Sequence, residues 1–296
     1  MKLPLLIVLL ISLGVVSCSD RASLEQKVRQ TLSKTEGRFA VAFKDLSNGE
    51  TLYINADSIF HAASTMKTPV MAELFRQAGE GRFSLDDSLV IKNGFTSIVD
   101  GSPFSLSRSD DSDTLIYDRV GAKESIRKLM TDMIIVSSNL ATNMLIDLVG
   151  AKKVDSLLKR IGAPNMHVLR GVEDTKAFEA GLNNTTSARG QLLLYEQIAT
   201  NKLVNESSSL EMIQILSDQR FGEIIPAQLP SDVIVAHKTG SITGVQHDGG
   251  IVMLPDGRKY ILVLLSSNLQ DRDQGIQVLA DVSEIIYQHV IQSEKR

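Results

Sequence analysis

Cysteine is almost missing from this chain: Cys18 is the only one in 296 residues, and there is no tryptophan. A lone thiol excludes an intramolecular disulfide framework and any metal site built from several cysteinates. Aromatic residues are 5% of the chain, the formal net charge is −4, and no basic run is present. That excludes a nucleic-acid-binding surface, which needs clustered Lys and Arg interleaved with aromatic platforms. Glycine-rich loops of the kind that cradle phosphates are also missing. The five histidines, His61, His167, His237, His247 and His289, lack ligand spacing and read as structural, hydrogen-bonded residues, so no metal or cofactor is expected.

Long apolar runs are equally scarce. The one present, Leu3 to Val16 behind Met1-Lys2, is too short for an ordinary spanning helix and has the shape of an export signal. Val15-Val16-Ser17-Cys18 resembles the lipobox of bacterial lipoproteins, with cleavage before Cys18; a plain secretory cut near Ser17 is the alternative. Lipid attachment would give the single thiol a use. A monomeric, soluble body tethered at Cys18 in the periplasm or cell envelope is therefore expected, with 1–17 as the removed signal.

What remains is ordinary for a folded protein, at 43% hydrophobic and 22% charged residues. Ser23 to Thr35 has helical spacing. Arg38 to Asp45 and Thr51 to Asn55 read as strands joined by the turn Ser47-Asn48-Gly49. The middle reads as helices: one after Ser64 ending near Gly79–Gly81, then Lys123 to Val136, Ala141 to Leu148, Val154 to Ile161, Ala188 to Ala199 and Ser209 to Leu216. Two long polar loops interrupt them, Ser88 to Tyr117 and Arg170 to Thr186. The cluster Asp110, Asp111, Asp113 in the first reads as a solvated turn, since no glutamate or glycine falls at calcium-loop spacing. Strands return at Val233 to His237, Gly249 to Leu254 and Tyr260 to Ser267, before a helix over Gly275 to Ile291. The expected fold is α+β, an α/β/α sandwich: an antiparallel sheet of about five strands flanked by N- and C-terminal helices. The sheet body would comprise 18–62 and 220–296, with an all-helical domain, 63–219, inserted and a cleft between them.

Ser64 and Lys67 stand three apart where that inserted domain begins, so their side chains share one helix face. A desolvated lysine can take the proton of a serine hydroxyl, and a helix N-terminus favours developing negative charge. Pro69 lacks an N–H, so the first turn should be irregular. On spacing alone, a surface N-cap serine beside a solvated lysine is the commoner arrangement, and the rest of the chain has to decide. Three other pieces give the pair company: Ser137-Ser138-Asn139 between two helices, Lys238-Thr239-Gly240-Ser241 at the end of a strand, and Glu173 and Glu179 in the second loop.

In that order and on those elements, the pieces resemble the penicillin-recognising serine hydrolases, and within them the class A β-lactamases, with a β-lactamase/transpeptidase-like fold. The likeness spans nearly the whole mature chain, including Asp248-x-Gly-Ile-Val and its Pro-Asp-Gly turn. It implies Ser64 as nucleophile, Lys67 assisting its deprotonation, and Ser137 passing a proton to the lactam nitrogen. Asn139 would hold the substrate's amide side chain, and Lys238 and Thr239 its carboxylate. The N–H groups of Ser64 and Ser241 would form the oxyanion hole, each donor supplying about 3–4 kcal/mol. The substrate implied is a small β-lactam.

Two departures stand out. Ser138 occupies a position where the family usually has aspartate. The loop glutamate that positions the deacylating water, usually followed four residues later by asparagine, is ambiguous: Glu173 fits the loop length but has Ala177 at that place, whereas Glu179 keeps a Leu182-Asn183 context too near Thr185-Thr186. Glu173 is taken as general base with Glu179 as the alternative, and Asn183 or Asn184 as asparagine partner. The extra segment Phe95 to Tyr117 would shape the cleft entrance. A related hydrolase acting on D-alanyl peptides with slow deacylation, and a tethered sensor acylated without turnover, are the competing functions.

Overall fold

The structure, a computed structural model, describes residues 23–163 and 165–293. The export signal, the lipobox-like stretch and Cys18 lie outside the described residues. In chain order, α1 covers 23–32, followed by β1 (Arg38–Asp45) and β2 (Thr51–Ile54). Helices α2 (Lys67–Gly79), α3 (Ile126–Ile135), α4 (Asn139–Val149), α5 (Ala151–Arg160), α6 (Thr175–Glu179), α7 (Ala188–Ala199) and α8 (Glu206–Ser217) fill the middle. Between them run three short ladders: β3 (Phe60–His61) with β8 (Thr185–Thr186), β4 (Ser88–Val90) with β7 (Lys123–Ser125), and β5 (Phe95–Thr96) with β6 (Pro103–Phe104). Strands β9 (Ile234–Ile242), β10 (Val245–Met253) and β11 (Lys259–Ser267), then α9 (Arg272–Ser293), complete the described chain.

The main sheet has five strands in the order β2-β1-β11-β10-β9, and every neighbouring pair is antiparallel. β1 shows why it is covered on both faces. Phe39, Val41 and Phe43 point into one core with Leu24 and Val28 of α1 and Val278 and Leu279 of α9, whereas Ala40 and Ala42 point into the other. β11 splits likewise, with Leu262 and Leu264 on one side and Ile261 and Val263 on the other, so it reads as a continuous apolar run. The second core joins that face to α2, α3, α4 and α7. α2 is its axis: residues 67–75 are buried without interruption, which is how a helix surrounded by protein reads.

Several boundaries differ from the sequence expectation. Lys123–Ser125 is strand rather than the first turn of a helix, because Ser125 caps α3 by accepting from Lys128 N–H. The Lys238–Ser241 stretch lies inside β9 rather than at its end; pairing with β10 runs on to Ile242 opposite Val245, and the turn falls at 243–244. The first long loop is not a bare irregular segment, since β4, β5 and β6 lie in it. Its aspartate cluster is a solvated turn only in part: Asp110 is exposed and Asp113 half-buried, but Asp111 is 4% exposed. The second loop carries α6, begun by Asp174, whose side chain accepts from Ala177 N–H.

Candidate active site

Ser64 lies in a 3₁₀ turn, Ala63–Met66, that leads into α2. Ala63 adopts φ +44, a left-handed conformation costing a non-glycine residue roughly 1–3 kcal/mol. A short relay holds it. Ala63 N–H donates to His61 Nδ1 at 3.0 Å, and the His61 carbonyl accepts from His247 Nε2 at 2.9 Å. His247 Nδ1 in turn accepts from Ser266 N–H at 3.1 Å, an arrangement that requires a neutral ring. Burial supplies that state by pushing the His247 pKa down to about 4. On the other side, β9 comes so close that a Cβ on Gly240 would sit 3.2 Å from Ser64 N and 3.0 Å from Thr65 Cγ2. A side chain there would push the Ser64 turn away by a few tenths of an ångström, so glycine suits that approach of strand to turn.

Lys67 is fully buried, yet its ammonium does not reach back to Ser64. Its hydrogen bonds go to the turn before α4: Ser137 O at 2.8 Å, Ser137 Oγ at 3.1 Å and Asn139 Oδ1 at 2.9 Å. Burial lowers its pKa to about 7, against the opposing pull of Asp111 and Glu173. Near neutral pH it therefore exchanges between ammonium and amine, which suits a proton acceptor. Ser137 sits at φ +58, and its Oγ also accepts from Lys238 Nζ at 3.1 Å, so one hydroxyl bridges two lysines. Lys238 is completely buried, and burial with Lys67 nearby drives its pKa well below the ordinary lysine range, Asp248 opposing. Asp248 Oδ1 contacts His237 Nδ1 at 2.8 Å and its Oδ2 accepts from Ile225 N–H, which fixes the base of β9.

The second loop approaches from the opposite side. Asn143, one helical turn beyond Asn139, accepts from Val172 N–H at 2.7 Å and donates to Val172 O at 3.0 Å. The contact is so close that a Cβ on Gly171 would fall 2.4 Å from Asn143 Oδ1. Glu173 follows at φ +62, which turns its carboxylate toward Asn139: Nδ2 donates to Oε1 at 3.3 Å, while Ser107 N–H donates to Oε2 at 3.1 Å. Partial burial raises the Glu173 pKa. Glu179 lies exposed at the end of α6. Asn183 and Asn184 hold the loop's neck instead of its tip: Asn183 Oδ1 accepts from Arg170 Nη2 at 3.1 Å, and Asn184 bonds the backbone of Leu169 and Arg170.

A cleft of about 310 Å³ opens over these groups, lined by Ser64, Ser137, Asn139, Thr239, Ser241 and, at its rim, Arg272. Gln246 Nε2 donates to Ser241 Oγ at 2.8 Å, steadying the β9 edge of the cleft. Among the described residues, no group of three or more His, Cys, Asp or Glu is placed to hold a metal ion.

A model of the β-lactamase enzyme family matches residues 23–290. The chain belongs to that family. Among curated relatives, β-lactamase VEB-1 of Pseudomonas aeruginosa is 22% identical over 94% of this chain and 93% of its own length. Among solved structures, the β-lactamase of Sphaerobacter thermophilus is 25% identical with a TM-score of 0.75, covering 91% of this chain and 96% of that one. A variant of PBP-A, solved as an acyl-enzyme complex with penicillin G, is 26% identical with a TM-score of 0.78, covering 92% of this chain and 97% of that one. Class A serine β-lactamases thus supply both the family and the fold, including the five-stranded sheet.

For this β-lactamase-family chain, Ser64, Ser137, Asn139, Thr239 and Ser241 meet on one cleft, with Lys67 and Lys238 buried behind Ser137. Three supporting residues escaped the sequence reading: Asp111, Asn143 and Asp174. Asn143 had a usable signal, since it shares the Asn139 face of α4 at i+4 spacing. Asp111 and Asp174 carried only local turn and capping signals, because the partners that tie them across the fold, Asn139 and Ser97, lie 28 and 77 residues away.

Proposed function

We propose that this chain is an exported class A-type serine β-lactamase that hydrolyses β-lactams through an acyl-enzyme on Ser64 and confers β-lactam resistance. The observation that carries the reading is Lys67: a buried amine with its pKa lowered to about 7, held by Ser137 and Asn139, while Ser64 opens onto the same cleft as both of them. Lys67 takes the Ser64 proton as Oγ bonds to the lactam carbonyl carbon. The N–H groups of Ser64 and Ser241 stabilise the oxyanion. When the C–N bond breaks, Ser137 gives its proton to the ring nitrogen and recovers one from the lysines it bridges. Asn139 holds the amide side chain, and Lys238 and Thr239 the carboxylate. Glu173, with its pKa raised by burial, then removes a proton from the water that attacks the acyl carbonyl, and Ser64 is released.

A second reading is a penicillin-binding, D-alanyl peptidase-like hydrolase that deacylates slowly. It is favoured by two features: both Glu173 oxygens are already engaged, and Ala177 stands four residues on, where the family supplies a second water ligand. Incubation with a chromogenic cephalosporin, followed by intact-mass measurement, separates the two. Sustained turnover is expected; one stoichiometric adduct on Ser64 that persists would replace the first reading with the second.

The same proposal places the cleft between a helical insertion, 63–219, and a body formed by 18–62 and 220–296. It also places the protein as a monomer anchored through lipid at Cys18 to the cell envelope. Cys18→Ser is expected to release it from the membrane fraction without changing turnover.

A further inference from the structure

The first long loop carries one buried carboxylate that the chemistry above leaves unused. Asp111 Oδ1 accepts from Asn139 N–H at 2.9 Å and Asp113 N–H at 3.0 Å. Its Oδ2 accepts from Asn139 N–H at 3.0 Å, Leu140 N–H at 2.9 Å and the Tyr117 hydroxyl at 3.1 Å. The adjacent Ser112 hydroxyl donates to Val136 O at 2.6 Å. Residues 111 and 112 thus clasp the chain on both sides of Ser137, whose left-handed backbone needs external support. The turn's own capping is meagre. Ser138, where the family usually has aspartate, offers α4 only a 3.4 Å contact to Ala141 N–H. Asp111 instead brings a full negative charge to the α4 N-terminus from a distant segment.

We propose that Asp111 is a positioning residue for acylation: from a distant segment it locks the Ser137–Asn139 turn in the geometry that grips Lys67. The 107–117 segment is then part of the acylation machinery and not a surface decoration. This rests on Lys67 acting as the proton acceptor. The charged groups facing Lys67 are Asp111 from this segment, Glu173 from the second loop and Lys238 from β9. The two carboxylates favour the ammonium, and Lys238 favours the amine. Removing the Asp111 charge therefore shifts Lys67 toward the amine, while loosening the turn slows proton transfer at every pH.

The test compares Asp111→Asn with the unmodified protein in single-turnover acylation by a chromogenic cephalosporin across pH. Acylation at the optimum is expected to fall about 10- to 100-fold, and the acid limb to move down by about half to one pH unit. The Lys67 midpoint, followed by NMR of labelled lysine without substrate, should fall by the same amount. A merely structural carboxylate would lower the melting temperature and leave both midpoints in place. Tyr117→Phe, which removes one donor but keeps the charge, should do just that. Folded Asp111→Asn protein that acylates within about threefold of wild type, with the Lys67 midpoint unmoved, overturns the proposal. If that variant does not fold, Asp111→Glu keeps the charge at a longer reach. It should retain the midpoint and lose rate, and wild-type rate in it overturns the positioning role. A wild-type protein that no β-lactam acylates would refute the function proposed above instead, and the NMR midpoint would still decide the Asp111–Lys67 coupling.

Discussion

The two sides of the cleft are built differently. The side holding Ser64, Lys67, Ser137 and Lys238 rests on α2, α4 and β9, and both lysines are fully enclosed. The side holding Glu173 is a loop with one short helix, tied at points: by Asn143 to Val172, by Asp174 to Ser97 Oγ at 2.8 Å and Ile98 N–H at 2.9 Å, and at its neck by Arg170. A buried ammonium needs a scaffold that cannot relax, because its altered pKa depends on continued exclusion of water. A water-activating carboxylate needs access to solvent, and a tied loop permits it. The acylating half is therefore set by packing, with the Asp111 clasp on its Ser137 turn, and the water-activating half by a few hydrogen bonds alone.

Four measurements would break or sharpen that contrast. Lys67→Met should have the largest effect, lowering acylation about 10²- to 10⁴-fold and removing the acid limb from its pH profile. Its melting temperature should hold or rise, since an apolar residue replaces a buried charge. Glu173→Gln should slow deacylation about 10²- to 10³-fold while acylation changes by no more than about threefold, so that the acyl-enzyme accumulates in mass spectra. If Glu179→Ala accumulates it instead, the assignment of the base is wrong.

The third measurement concerns pH and stability on the packed side. The His247 ring titrates at about 4 in the fold against an ordinary value of 6.5. Below pH 6.5 the unfolded chain takes up a proton that the folded chain refuses until about pH 4. Its contribution, on the order of 3 kcal/mol, is thus full above that ordinary value and lost as pH falls through the window. Denaturant midpoints between pH 7 and 4 should show the loss, and His247→Gln should flatten it. The smallest effect belongs to the tied side. Asp174→Ala should cost about 1–2 kcal/mol of stability and slow deacylation a few-fold while acylation is unchanged. Equal loss in both half-reactions would mean that the two sides are not separate.

Much of this was legible in the chain. Strand β1 was readable to the residue, because its alternation of bulky and small apolar groups survives burial on both faces. The Ser64 turn, the Ser137–Asn139 loop and the Lys238 stretch were readable as motifs. The β9 boundary was not, since Thr239-Gly240 has the composition of a turn, and only pairing with His247 and Asp248 carries the strand through it. The aspartate cluster misled for a related reason. Composition marks Asp111 as polar, and only the distant backbone donors of Asn139 and Leu140 make its burial tolerable.

By itself the sequence determined the layered α+β architecture, the order of the chemical groups along the chain and the family to which they belong. Those follow from local periodicity and from residue types at fixed short spacings. The tertiary structure decided which lysine contact is made, that Ser137 bridges two amines, which glutamate faces Asn139, and that Asp111 is interior. Each depends on bringing together segments tens of residues apart and removing water between them, and it is that removal of water which turns an ordinary lysine into a base.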